Sequence, residues 1–149
     1  MNEEKTPSQK IAEGKIFSFL EANTCFTLAT CEENIPYCSN CFYAYDKEKK
    51  YLCFKSDSKT MHVQQGLKNM FVAGSVTPDV PVKGKIKGIQ FSGVFFQPSG
   101  EELKRTKKIY YAKFPFALVI PGNLWAIEIT YIKMTDNTLG FGKKSEWKK

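Results

Sequence analysis

Apolar and polar positions change period along this chain, and the changes mark its elements. Between residues 6 and 22, Ala12, Ile16, Phe19 and Leu20 recur at helical spacing. Thr6 can cap this helix, Pro7 suits its first turn, Gln9 completes a capping box, and Asn23 is a plausible stop. From Thr24 the period is two, and β-branched and aromatic residues dominate. Thr24–Cys31 and Ile35–Tyr45 read as a hairpin-like pair across Glu32-Glu33-Asn34, and Tyr51–Ser56 as a third strand after the charged turn Asp46–Lys50. A short helix follows over Ser58–Leu67, capped by Asp57 or Ser58, and then a strand over Met70–Val76. Thr77–Lys85, with Pro78, Pro81 and Gly84, is a loop. Ile86–Phe96 is a long strand whose Gly88 and Gly93 suggest close backbone approach or a bend. Ser99-Gly100-Glu101-Glu102 reads as a second capping box, opening a helix that ends near Phe114-Pro115. Leu124–Thr135 is the last strand, and Asp136–Lys149 is a Gly- and Lys-rich tail.

About six strands and three helices, joined by hairpins rather than β-α-β alternation, predict an antiparallel sheet with helices outside it. Closure or near-closure would remove the exposed edges that so many strands create. The 149 residues suffice for one ordinary domain, residues 1–149, and 42% hydrophobic residues supply its core. No apolar stretch approaches the roughly 20 residues of a membrane span, and Met1-Asn2-Glu3-Glu4-Lys5 lacks the apolar centre of a secretory signal. Five cysteines, an odd number set in strand-like runs, fit reduced buried thiols better than a disulfide framework. These features predict a cytoplasmic protein with no membrane partner.

The net charge of +7 is almost all lysine, Arg105 being the only arginine. Dense basic stripes with interleaved aromatics are absent, so solvated lysines are favoured over nucleic-acid binding, while an anionic small ligand stays open. Cys38-x-x-Cys41 lies in an extended run, where residues three apart point to opposite faces. With no second pair and no nearby histidine, it predicts no metal site.

The most informative segment is Phe54-Lys55-Ser56-Asp57-Ser58-Lys59-Thr60, where a strand runs into a helix start bearing hydroxyls and lysines. Helix N-termini favour phosphate, although the same residue types also serve ordinary capping. His62 is the sole histidine, with no evident carboxylate or nucleophile to complete an acid–base or nucleophilic constellation. Hard chemistry, if any, would belong to a bound cofactor.

The element order, with Ser58-Lys59-Thr60-Met61-His62, Lys87-Gly88-Ile89-Gln90-Phe91-Ser92-Gly93, Lys113-Phe114-Pro115, and the C-terminal Thr135–Lys144 with Trp147, resembles the FMN-binding split barrels related to pyridoxamine 5'-phosphate oxidase. Within them it resembles the uncharacterised YhbP-like group, over roughly residues 10 to 147. The resemblance implies a six-stranded antiparallel split barrel with flanking helices, and a homodimer with FMN sites touched by both chains. It implies that Lys55, Ser56, Ser58, Lys59 and Thr60 hold the phosphate, and that Ser39, Asn40, Cys41 and Phe42 lie along the isoalloxazine edge. Gln90 would meet the flavin, and Trp125 or the Asn137–Lys144 tail would approach from the partner chain. Lys59-Thr60 stands where those oxidases carry an Arg-Lys pair, and their substrate arginines have no counterpart. The resemblance therefore reaches the flavin site and not that oxidase activity. A flavin-dependent oxidoreductase working by hydride transfer at N5 is the leading expectation. A non-catalytic flavin- or haem-binding dimer, with His62 the sole imidazole for haem, is the alternative.

Overall fold

Every predicted strand is present, and hydrogen-bonded registers join them into a ring. The computed structural model describes residues 4–140 and 143–149; Met1, Asn2 and Glu3 of the N-terminal segment and Phe141 and Gly142 of the C-terminal motif lie outside the described residues. In chain order the elements are α1 (Pro7–Ala22), β1 (Cys25–Glu32), β2 (Ile35–Asp46), β3 (Tyr51–Ser56), α2 (Met61–Lys68), β4 (Phe71–Val76), β5 (Lys87–Phe96) and α3 (Gly100–Lys113). A 3₁₀ turn (Pro115–Val119), β6 (Asn123–Asp136), a second 3₁₀ turn (Asn137–Leu139) and β7 (Lys144–Lys148) complete them.

The sheet order is β3-β2-β1-β4-β5-β6-β7, and an additional β3–β6 pairing closes the first six strands. All pairings are antiparallel. The 14-residue β6 makes closure possible, since Asn123–Glu128 pairs with β3 while Tyr131–Thr135 carries β7. Its partner β5 bends at a register shift between Ser92 and Gly93. A Cβ at Gly93 would come within 2.6 Å of the Glu128 carbonyl oxygen and of the Ile127 side chain, so only glycine fits this bend.

The ring interior is aromatic. Phe26 meets Tyr43 and Phe54 edge-on at centroid distances of 5.6 and 5.5 Å, and Phe95 stacks on Trp125 at 5.3 Å. Helix α1 presents Ile16, Phe19 and Leu20 to this core, as its periodicity predicts. The buried Tyr43 hydroxyl fixes the end of α1 by donating to the Leu20 carbonyl at 2.8 Å. Outside the ring, α3 and the first 3₁₀ turn enclose a second apolar cluster of Ala44, Tyr110, Phe114, Ala117 and Leu124. Arg105 pins α3 there by gripping the buried Asp46 carboxylate through Nε and Nη2.

The ring parts at one place. Strands β2 and β3 pair only from Tyr43↔Phe54 to Asp46↔Tyr51. Beyond that, β2 continues along β1, from Phe42↔Cys25 to Ile35↔Glu32, while β3 continues along β6 to Ser56↔Asn123. The strands diverge at Cys41 and Ser56, and the start of α2 sits between them.

Three local expectations change. Helix α2 begins at Met61 with Thr60 as its N-cap, three residues later than Ser58. The Asp57 carboxylate takes the Lys59 N–H at 2.7 Å, and the Asp57 carbonyl takes both the Thr60 N–H and hydroxyl; this local turn outcompetes the helix. Ser99 is the N-cap of α3 but makes no side-chain cap bond, because Gly100 enters at φ +55° and turns the chain away. By contrast, the Thr6/Gln9 box forms both its bonds, at 3.2 and 2.8 Å. The tail contains β7, whose Trp147 packs edge-on against Phe17 at 5.7 Å.

Candidate functional site

The parting of β2 and β3 assembles a polar cluster from three elements. His62, in the first turn of α2, points its Nε2 into the gap at 2.7 Å from Ser56 Oγ and 3.3 Å from Thr60 Oγ1. Cys41 Sγ lies 4.0 Å from the same nitrogen, and Ser39 Oγ lies 4.0 Å from Cys41 Sγ. His62 is only 8% exposed, and burial depresses its pKa, so the ring is neutral near pH 7. Burial also pushes the Cys41 thiol up to about 11, which leaves it protonated and unreactive.

No side chain caps α2. Among the described residues no side chain accepts from the N–H groups of its first turn, at Met61, His62 and Val63. Hydroxyls of Ser56 and Thr60 and the exposed Lys59 flank them. This donor set suits an anion of phosphate size. Asp57 is exposed, and its carboxylate is occupied by the Lys59 N–H.

The expected site residues separate into groups. Cys41, Ser56 and Thr60 converge on His62, Ser39 reaches it only through Cys41, and Ser58 and Lys59 lie in the adjoining turn. Lys55 does not join them, because alternation along β3 sends it to the other face. Its ammonium donates to the Ala117 carbonyl at 2.8 Å and to the Tyr111 hydroxyl at 3.1 Å, holding the 3₁₀ turn against α3. Trp125 is 2% exposed and stands in the core behind the cluster, donating its indole N–H to the Ser56 carbonyl at 3.0 Å. Asn40 and Phe42 alternate outward from Cys41, both exposed.

Gln90 belongs to that outer surface. The registers Asn40↔Thr27, Thr27↔Ser75, Ser75↔Gln90 and Gln90↔Lys133 place a polar row across five strands. Beside it runs a row of mostly small residues, Cys38↔Ala29↔Ala73↔Ser92↔Tyr131. A groove of about 400 Å³ lies over both rows. Cys38 is exposed here while Cys41 is buried in the gap, so the two thiols of the C-x-x-C face apart. In the tail, Asn137 bonds Ile86 and Gly84 across the end of the ring. His62 thus hydrogen-bonds beside the helix start, as expected of a lone histidine there, while its approach to Cys41 on β2 as well as Ser56 on β3 was not visible in the sequence.

A closed antiparallel ring parted between β2 and β3, with helices outside, defines a split barrel. Solved structures share this architecture at low identity. A haem-binding protein from Mycobacterium smegmatis matches with a TM-score of 0.77 at 13% identity, covering 97% of this chain and 59% of that one. A FAD-binding protein from Mesorhizobium loti matches at 0.67 and 18%, covering 82% and 92%. A candidate pyridoxamine 5'-phosphate oxidase from Listeria innocua matches at 0.66 and 16%, covering 82% and 96%. No protein-family model matches the chain. A relative in Salmonella arizonae, UPF0306 protein YhbP, is 38% identical over 121 residues, which is 81% of this chain and 82% of the relative. The chain belongs to the UPF0306 YhbP family. No helix among the described residues is long and apolar enough to cross a membrane.

Proposed function

We propose that this chain binds FMN as a homodimer, with the phosphate at the opening between β2 and β3. The observation that carries the reading is the start of α2, which has no side-chain cap bond and whose first-turn N–H groups have no side-chain acceptor among the described residues, with the paired hydroxyls of Ser56 and Thr60 and the exposed Lys59 in the adjoining turn. Ser58 lies in the same turn. The split-barrel fold supports it, since one structural relative is a FAD-binding protein. The outward row of small residues, with Ala29 half-buried on β1 and Ala73 and Ser92 exposed on β4 and β5, leaves room for a planar ring, with Asn40, Phe42 and Gln90 on that outer face.

A second copy would complete the site. Phe116, Leu118, Val119 and Ile120 are 60, 65, 88 and 48% exposed on and just after the 3₁₀ turn, and Phe42 is 55% exposed against Phe114 nearby. An exposed apolar cluster of this kind marks an association surface. We place the protein in the cytoplasm, a reading supported by five cysteines that are all free thiols.

Hydride transfer at N5 is the chemistry a flavin supplies when bound, and an unknown organic substrate or electron donor would be its partner. This chain contributes the anion cradle, the flat outer face and a neutral imidazole behind the cradle. Haem binding is the second reading, because the Mycobacterium smegmatis relative by structure binds haem. The 2.7 Å contact of His62 Nε2 with Ser56 weighs against it, since an axial ligand needs that nitrogen free. The test is an absorbance spectrum after incubation with FMN and desalting. Retained flavin bands support the proposal, and a flavin-free spectrum with a Soret band after haem titration overturns it.

A further inference from the structure

The proton arrangement around His62 has a consequence for the anion site, and it rests on the FMN reading above. Three atoms meet in the gap: Ser56 Oγ, Thr60 Oγ1 and His62 Nε2. The Thr60 hydroxyl proton is spent on the Asp57 carbonyl at 2.8 Å, so Thr60 Oγ1 serves the others only as an acceptor. The Ser56 proton is then the one hydroxyl proton in this group left to assign, and His62 decides where it points. If Nε2 is bare, Ser56 donates to it at 2.7 Å and has nothing to offer a ligand. If Nε2 carries hydrogen, it donates to Ser56 Oγ, and the Ser56 proton is released.

A phosphate dianion only accepts hydrogen bonds, so it selects the second arrangement. We propose that His62 is a positioning residue for phosphate recognition: its Nε2–H, donated to Ser56 Oγ, turns the Ser56 hydroxyl toward the phosphate of the bound flavin. His62 itself touches no ligand in this scheme. It acts through Ser56, whose main chain is held from the other side by the Trp125 indole.

The surroundings leave this arrangement free of competing charges. From β2, His62 faces Cys41, a thiol kept neutral by burial. From β3 it faces Ser56 and the Phe54 ring, 6.4 Å between centroids. β1 reaches α2 through the neutral pair Thr30–Gln65, at 2.7 Å, and β5 through Phe95 against Gly66. Among charged groups, Asp57 and Lys59 belong to the preceding turn and Lys68 lies at the far end of α2, paired with Glu32. Burial alone accounts for the depressed pKa of His62.

The test compares affinities for FMN and for riboflavin, which lacks the phosphate, in the dimeric full chain. The FMN-over-riboflavin preference isolates the phosphate contacts from ring binding. His62→Gln keeps an N–H donor near Nε2 and should keep the preference within about twofold. His62→Leu and Ser56→Ala should each lower it roughly tenfold, the scale of one lost charge-assisted hydrogen bond, and the double variant should lower it no further. A His62→Leu preference equal to wild type, or losses that multiply in the double variant, would overturn the proposal. Nitrogen-15 NMR of the unaltered protein gives a readout independent of folding defects: Nε2 must be protonated in the FMN complex, and a bare Nε2 there also overturns it. If riboflavin and FMN both fail to bind wild type, the flavin reading itself falls; if both bind equally well, only the phosphate site does.

Discussion

The indole N–H of Trp125 donates to the carbonyl oxygen of Ser56 across 3.0 Å, tying the aromatic core to the last residue of β3. This bond lies one residue from the turn Asp57–Thr60 that carries the candidate anion site, so core and site share a support. Trp125→Phe keeps a ring beside Phe95 but leaves the Ser56 carbonyl without this donor. It should cost about 2 kcal/mol, combining the lost bond with a small packing defect, and should weaken FMN binding in the variant that still folds. Urea unfolding and flavin fluorescence titration measure the two effects.

Charge at the helix start is separable from charge on β3. Lys59 is exposed beside the opening, whereas the Lys55 ammonium is committed to Ala117 and Tyr111. Lys59→Glu should therefore weaken FMN at least tenfold with little change in stability, since it replaces an attraction by a repulsion. Lys55→Glu should act mainly on the thermal midpoint, by releasing the 3₁₀ turn. Equal loss of FMN affinity in both, at unchanged stability, would return Lys55 to the phosphate site.

Asp46 gives the fold an acid-sensitive point. Burial pushes its carboxyl up, yet the Arg105 bonds and the N–H groups of Lys49 and Glu48 outweigh that and hold it below its ordinary 3.8. The folded state thus binds this proton less readily than the unfolded chain. The resulting stability is fully present above about pH 4 and is lost as pH falls through the depressed folded value. Arg105→Ala should cost about 2 kcal/mol at neutral pH and move acid unfolding to higher pH, followed by circular dichroism.

The exposed side chains after α3 test the proposed dimer. Phe116→Ser with Val119→Ser removes large apolar groups that are 60 and 88% exposed, so the fold should persist. Sedimentation should report a monomer where wild type reports a dimer, and FMN affinity should fall with it. A variant that remains dimeric would assign the contact to another face, with the small-residue rows of the sheet as the next surface.

Period and capping are local properties, so α1 and the first six strands were legible in the chain. Alternation from Thr24 to Ser56 marked three strands, Ile16, Phe19 and Leu20 marked the buried stripe of α1, and Gly93 marked the bend in β5. The same string singled out Lys55, Ser56, Ser58, Lys59 and Thr60 together, since hydroxyls and lysines at a strand-to-helix junction are visible in sequence. Tertiary structure alone decided which of those side chains meet. Lys55 and Ser56 are neighbours in sequence but face opposite sides of β3, and Cys41 joins Ser56 only because β2 and β3 part beside α2. The strand β7 was illegible for a related reason: its few residues earn their place from β6 and from Trp147 against Phe17, contacts that no local pattern encodes. Local periodicity fixes what each segment can become, while register and closure, set by long-range pairing, fix which chemistry comes together.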